Sequence, residues 1–115
     1  MNVRFVLSAE FSRQFKRLAK KYKSLGNDYL AFRKELSENP FQGDDLGGGV
    51  RKVRMAVASK GKGKSGGARV LTLTVLVSET DTADLTLLTI YDKSEIDSVS
   101  DKYIKWLVEQ YLMKK

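Results

Sequence analysis

The stretch that decides the fold begins Val50-Arg51-Lys52-Val53-Arg54-Met55-Ala56-Val57-Ala58. It continues through Ser59-Lys60-Gly61-Lys62-Gly63-Lys64-Ser65-Gly66-Gly67 into Ala68-Arg69-Val70-Leu71-Thr72-Leu73. In the first segment Val53, Met55 and Val57 fall on one side, and Lys52, Arg54 and Ala56 on the other. Alternation with period two predicts a strand, Val50 to Ala58, with one core face and one basic face. The glycine-lysine run at 59–67 predicts a flexible loop. Ala68 to Ser78 is rich in Val, Leu and Thr and predicts a second strand. A turn around Glu79–Ala83 leads to a third, Asp84 to Asp92. Three strands with short connections form an antiparallel meander.

Working upstream, residues 39–49 read as a loop ending in Gly47-Gly48-Gly49. Phe11, Phe15, Leu18, Ala19, Tyr22 and Leu25 recur at helical spacing. Ser8 is placed to cap that helix, with Glu10 in its first turn. Gly26-Asn27 predicts its end, and Asp28 a cap for a second helix carrying Tyr29, Phe32 and Leu36. Pro40 confines the second helix to about residue 38. Asn2 to Leu7 reads as a short strand. Downstream, Ser98-Val99-Ser100-Asp101 has the character of a capping box. Ile104, Leu107, Val108, Tyr111 and Leu112 then mark a terminal amphipathic helix. The order β-α-α-β-β-β-α predicts one α+β domain over residues 1–115, with helices covering one face of a mostly antiparallel sheet.

Composition narrows the chemistry. The 115 residues include no Cys and no His. That removes the thiolate nucleophile, the imidazole base and the two commonest zinc ligands. Disulfides are impossible, so nothing marks the chain as secreted. Asn2-Val3-Arg4-Phe5 follows Met1 with no apolar run suited to a signal peptide or membrane span, and the expected compartment is the cytoplasm.

Charge is concentrated. No acidic residue stands between Asp45 and Glu79, while Arg51, Lys52, Arg54, Lys60, Lys62, Lys64 and Arg69 all do. Those seven charges equal the whole net charge of +7. A basic excess held in one segment is the footprint of a polyanionic partner. The earlier cluster of Arg13, Lys16, Arg17, Lys20, Lys21 and Lys23 reads instead as the solvated side of a helix.

Two glycine-based motifs fail. Gly63-Lys64-Ser65 resembles the end of a phosphate-binding loop, but Ala58 stands where that pattern needs glycine, and a strand follows rather than a helix. The same glycines open no helix, so a dinucleotide fingerprint fails too. Glu79, Asp81, Asp84 and Asp92 match no calcium loop, and no metal site is expected.

The remaining motifs carry a resemblance. Val50-Arg51-Lys52-Val53-Arg54, the run from Lys60 to Val70, and Leu88-Thr89-Ile90-Tyr91-Asp92-Lys93-Ser94-Glu95 resemble the successive strand motifs of RelE/HigB-like toxins of bacterial toxin–antitoxin modules. The likeness covers most of residues 46–112, and the preceding helical hairpin fits the family's order of elements. It implies a ribosome-dependent messenger RNA endoribonuclease that needs no metal or other cofactor, held inactive by a cognate antitoxin. Its partners would be the ribosome, messenger RNA and that antitoxin, with no membrane. Two alternatives stay open: a toxin of the same fold that inhibits DNA gyrase, and a non-catalytic RNA-binding module.

By this resemblance Arg69 occupies the family's phosphate-binding position, where a guanidinium fork matches paired phosphate oxygens. Lys52 and Arg54 match the paired basic positions; they could stabilise transition-state charge, or one could transfer a proton. Tyr91 could stack on a base or position the 2′-hydroxyl. Lys93 could protonate the leaving oxygen. Arg51, Lys60, Lys62 and Lys64 are expected to grip the RNA backbone. The general base is unassigned: relatives use a His or a Tyr near the last helix, this chain has no His, and Tyr103 is not clearly in register.

Overall fold

The computed structural model describes residues 1–61 and 63–113. In chain order the elements are β1 (Asn2–Leu7), α1 (Ala9–Lys21), α2 (Leu25–Glu38), β2 (Asp44–Gly47), β3 (Val50–Met55), β4 (Ala68–Val77), β5 (Thr82–Asp92) and α3 (Asp101–Met113). Short 3-10 turns lie at Ala58–Lys60 and Ser78–Thr80. The sheet runs β1-β5-β4-β3-β2. Its pairs are antiparallel except β1 with β5, which is parallel. The fold is α+β with a mostly antiparallel sheet, as the sequence predicts.

The helices divide between the two faces of the sheet instead of covering one. Phe11, Leu18, Leu25, Phe32 and Leu36 from α1 and α2 close one core with Val53, Met55, Val70, Leu85, Leu87 and Ile90. Leu107 of α3 joins Val50, Leu71, Leu73, Leu88 and Tyr91 in a second core, with Ile104, Val108 and Tyr111 packed against it. Strand β5 is buried along nearly its whole length, and β4 from Ala68 to Thr74, because both faces are covered there.

Helix α1 starts where expected, with Ser8 Oγ accepting from the Phe11 amide at 3.0 Å. Its end differs. Tyr22 leaves the helix in an extended conformation, and Gly26-Asn27 lie inside α2, which begins after Ser24. Tertiary contacts override the local stop signal. Leu25 is fully buried. Ser24 Oγ donates to Asp28 Oδ2 at 2.6 Å, and the Ser59 amide donates to Ser24 Oγ at 2.9 Å.

The 39–49 loop contains the extra strand β2, so the meander has four strands. Its residues are exposed and lack apolar alternation, which hid it from a periodicity reading. A hairpin makes it: Gly47 pairs with Val50 across Gly48-Gly49. Gly48 and Gly49 have φ of 61° and 86°, the left-handed geometry of a tight two-residue turn.

An irregularity in β5 decides which way Tyr91 points. Leu71 pairs with Thr89 while Thr72 pairs with Leu87, so Leu88 is an extra residue in β5. A bulge of this kind resets the alternation of side chains. Leu85 and Leu87 point into the α1/α2 core, yet Tyr91, an even number of residues further on, points into the α3 core.

Candidate active site

Three adjacent strands set side chains in one row. Arg54 on β3 lies opposite Arg69 on β4, and Arg69 lies opposite Tyr91 on β5. Directly opposed residues have Cβ atoms roughly 5 Å apart. Lys52 is two residues before Arg54 and shares its face. The basic side of β3 is therefore continuous with the α3 side of the sheet. Val50 anchors that side in the α3 core, while Val53, Met55 and Val57 are buried on the other.

Arg54 is exposed and Lys52 half-buried, but Arg69 is buried at 6% exposure. Arg69 Nη1 donates to the carbonyls of Lys64 at 3.1 Å and Ala68 at 3.3 Å, and Nη2 donates to Ser65 at 3.0 Å. Both terminal nitrogens of the fork thus hold the β3–β4 loop. This corrects the expectation of a fork open to phosphate: Arg69 fixes the loop and adds its charge to the row, and Arg54 is the guanidinium that faces solvent.

Tyr91 is 3% exposed, and its hydroxyl is a buried polar atom without a hydrogen-bond partner among the described residues. Burial pushes the phenol up from its ordinary value; the charge on Arg69 works against that and the charge on Asp97 adds to it. Lys93 follows the end of β5. Its ammonium donates to Asp97 Oδ1 at 2.7 Å and to the Asp97 carbonyl at 3.2 Å. The Asp97 carboxyl is held below its ordinary range, first by the hydrogen bond and charge from Lys93 and further by the charge on Lys52. Asp97 is thus within the electrostatic reach of Lys52, Lys93 and Tyr91 together. Sequence reasoning missed it, although the i, i+4 spacing from Lys93 was visible.

Of the expected RNA-gripping residues, Arg51, Lys60 and Lys64 do not join this row. Lys60 is built into the fold. Its ammonium pairs with Asp92, their side chains 6% and 1% exposed, and also donates to the Gly67 carbonyl at 3.2 Å. Asp92 accepts from Ser94 and the Tyr22 hydroxyl as well. Burial disfavours the Asp92 charge, but these donors, Lys60 foremost, outweigh it and hold the carboxyl well below the carboxylate range. The loop expected to be flexible is thus fastened by Lys60 at one end and by Arg69 at the other. Lys64 pairs with Glu35 of α2 at 3.1 Å, in the opposite layer. Arg51 points away from Lys52 and lies 5.2 Å from the Phe41 ring centroid. Lys62 lies outside the described residues. Tyr103 reaches the same side of the sheet, but its hydroxyl donates to Glu10 at 3.0 Å and lies 3.1 Å from Thr89 Oγ1.

The row is electrostatically unusual. Like charges directly opposed across strands are destabilising, and Arg54 opposite Arg69 is such a pair. A bound anion would relieve it. Phosphate oxygens could bridge the exposed guanidinium of Arg54 and the ammonium of Lys52 while Tyr91 stands at the end of the row. No helix among the described residues is long and apolar enough to cross a membrane. A family model described as the RelE toxin of the RelE/RelB toxin–antitoxin system matches residues 10–112, which takes in every element from α1 to nearly the end of α3.

Proposed function

The chain belongs to the RelE family, the toxins of RelE/RelB toxin–antitoxin systems, and from that premise we propose that it stops translation by cutting messenger RNA on the ribosome. An antitoxin is its protein partner. The observation that carries the reading is the cross-strand row of Arg54, Arg69 and Tyr91 with Lys52 beside it. The HigB half of the resemblance rests on the strand motifs alone.

RNA brings its own nucleophile. The ribose 2′-oxygen bonds to phosphorus as the bond to the 5′-oxygen breaks, leaving a cyclic phosphate and a 5′-hydroxyl. Charge grows on the phosphoryl oxygens, and fixed cations stabilise it without reorganising. Arg54 is the phosphate contact, with a planar fork suited to paired oxygens. Arg69 keeps the loop and strand ends in place and lends its buried charge. The raised phenol of Tyr91 keeps its proton at neutral pH, which suits it to position the 2′-hydroxyl and not to deprotonate it. Lys52 adds its ammonium charge beside Arg54 as the phosphoryl oxygens gain charge, while the 2′ proton goes to water and the 5′-oxygen takes one from water.

The test is purified protein on ribosomes programmed with a defined message, with RNA ends mapped. Wild type is expected to create new ends within the A-site codon. Arg54→Ala is expected to lower the single-turnover cleavage rate by about 10²–10³-fold, the usual effect of removing one preorganised charge donor. Its unfolding midpoint should equal or exceed that of wild type, because Arg54 is exposed and its removal relieves the like-charge pair with Arg69. Absence of new ends with wild type, or DNA-damage signalling without translational arrest in cells, would overturn the reading.

A further inference from the structure

The proposed cleavage site leaves Asp97 unused, although it stands among the cations. Its carboxylate is fixed by Lys93 and lies in the field of Lys52. Its side chain is 98% exposed and has no structural burial to supply. A carboxylate held by an ammonium at 2.7 Å imitates the contact a phosphate oxygen would make. The segment bearing it follows Tyr91 and Lys93 in the chain, and its charge acts on Tyr91, so this anion stands at the Tyr91 end of the row.

We propose that Lys93 forms a second phosphate subsite, for the phosphodiester next to the scissile one, and that Asp97 is its internal occupant, displaced when RNA binds. The inference rests on the reading of the row as an RNA site. Its chemistry is an exchange of anions: the Asp97 carboxylate goes to water, where it is already almost fully exposed, and a phosphate takes its place on Lys93. No bond is made or broken. Asp97 weakens binding without touching the reacting atoms, and it favours a ligand with two correctly spaced phosphates over a lone anion.

The probe is a short, fluorescently labelled 2′-O-methyl RNA, which cannot be cut because its nucleophile is blocked. Binding is followed by anisotropy across a salt series for wild type, Asp97→Asn, Lys93→Ala and the double variant. Asp97→Asn is expected to tighten binding several-fold. The slope of log K against log[salt] should change little, because the phosphate contact forms in both proteins. Lys93→Ala is expected to make that slope shallower by about 0.7, the loss of one phosphate contact on a single strand. In the Lys93→Ala background, Asp97→Asn should have a much smaller effect. Equal affinity of wild type and Asp97→Asn, or an Asp97→Asn effect that survives undiminished without Lys93, overturns the subsite. Cleavage on programmed ribosomes is measured in parallel to separate the two readings. Tighter binding by Asp97→Asn with no cleavage by wild type supports the subsite and sinks the nuclease. Cleavage by wild type with an indifferent Asp97→Asn does the reverse.

Discussion

At the scale of single residues the molecule separates cations that hold it together from cations it offers. Lys60 belongs to the first kind, and its partner Asp92 gives it a pH signature. The folded carboxyl is held below its unfolded value, so its contribution to stability is complete above about pH 4, the unfolded range of Asp. As pH falls through that range the unfolded chain takes up the proton first and the contribution drains away. Asp92→Asn leaves Lys60 buried without a counter-charge and is expected to cost roughly 3 kcal/mol at pH 7. Urea unfolding at a series of pH values checks this: the gap between wild type and variant should narrow from pH 5 towards pH 3. A gap independent of pH would show that the pair contributes nothing through its charge. The sequence displays both residues but not their meeting, because 32 positions separate them. A lysine in a glycine-rich run reads as solvent-facing until a buried carboxylate is seen to face it. The same limit applied to Arg69, whose carbonyl partners are backbone and leave no mark in composition.

Among the elements, the reach of sequence reasoning tracks periodicity. Strands β3 and β4 and the start of α1 were legible because apolar residues alternate, or recur at helical spacing, and a serine caps the helix. The short edge strand β2 was not, since its residues are exposed and only Gly48-Gly49 signal it. The bulge at Leu88 was invisible for a different reason: period-two reading assumes an unbroken ladder, and a single extra residue reverses every later assignment. Tyr91 was named as a site residue by resemblance, and its arrival beside Arg69 depends on that insertion. The approach of β3 to β4 is set just before the row by Gly67. A Cβ there would come within 2.2 Å of the Met55 carbonyl oxygen. Gly67→Ala must therefore push the strand ends apart where Arg54 faces Arg69. It is expected to lower both the unfolding midpoint and the cleavage rate, the latter by more than the small fraction of unfolded protein explains. Thermal unfolding and single-turnover cleavage at about 20 °C, well below the transition, check it. Retention of full cleavage with a lowered midpoint would show that the row tolerates displacement.

For the whole molecule the arrangement of layers decides which charges matter. Its principal extents are 42 × 30 × 22 Å, several times the screening length of about 8 Å at physiological ionic strength. Lys16 and Lys20 lie on α1, in the layer across the sheet from Lys52 and Arg54. Reversing Lys16 and Lys20 to Glu is expected to change RNA affinity less than about threefold at roughly physiological salt. Reversing Lys52 and Arg54 should abolish measurable binding. Anisotropy with the same uncleavable RNA compares them, and equal losses would mean that net charge, not the row, recruits the polyanion. The concentration of charge in residues 51–69 pointed to this face, though only part of that segment reaches it: Lys52, Arg54 and Arg69 do, while Arg51, Lys60 and Lys64 are turned elsewhere.

The parallel pairing of β1 with β5 has a bearing on how the chain comes into being. Asn2 is matched with Thr82 and Leu7 with Leu87, so two segments far apart in the chain must meet. Closing so long a loop late makes assembly slow, as pairings distant in sequence generally are. Strand β5 is both the partner of β1 and the strand that sets Tyr91 opposite Arg69, so one segment completes the edge of the sheet and the row together.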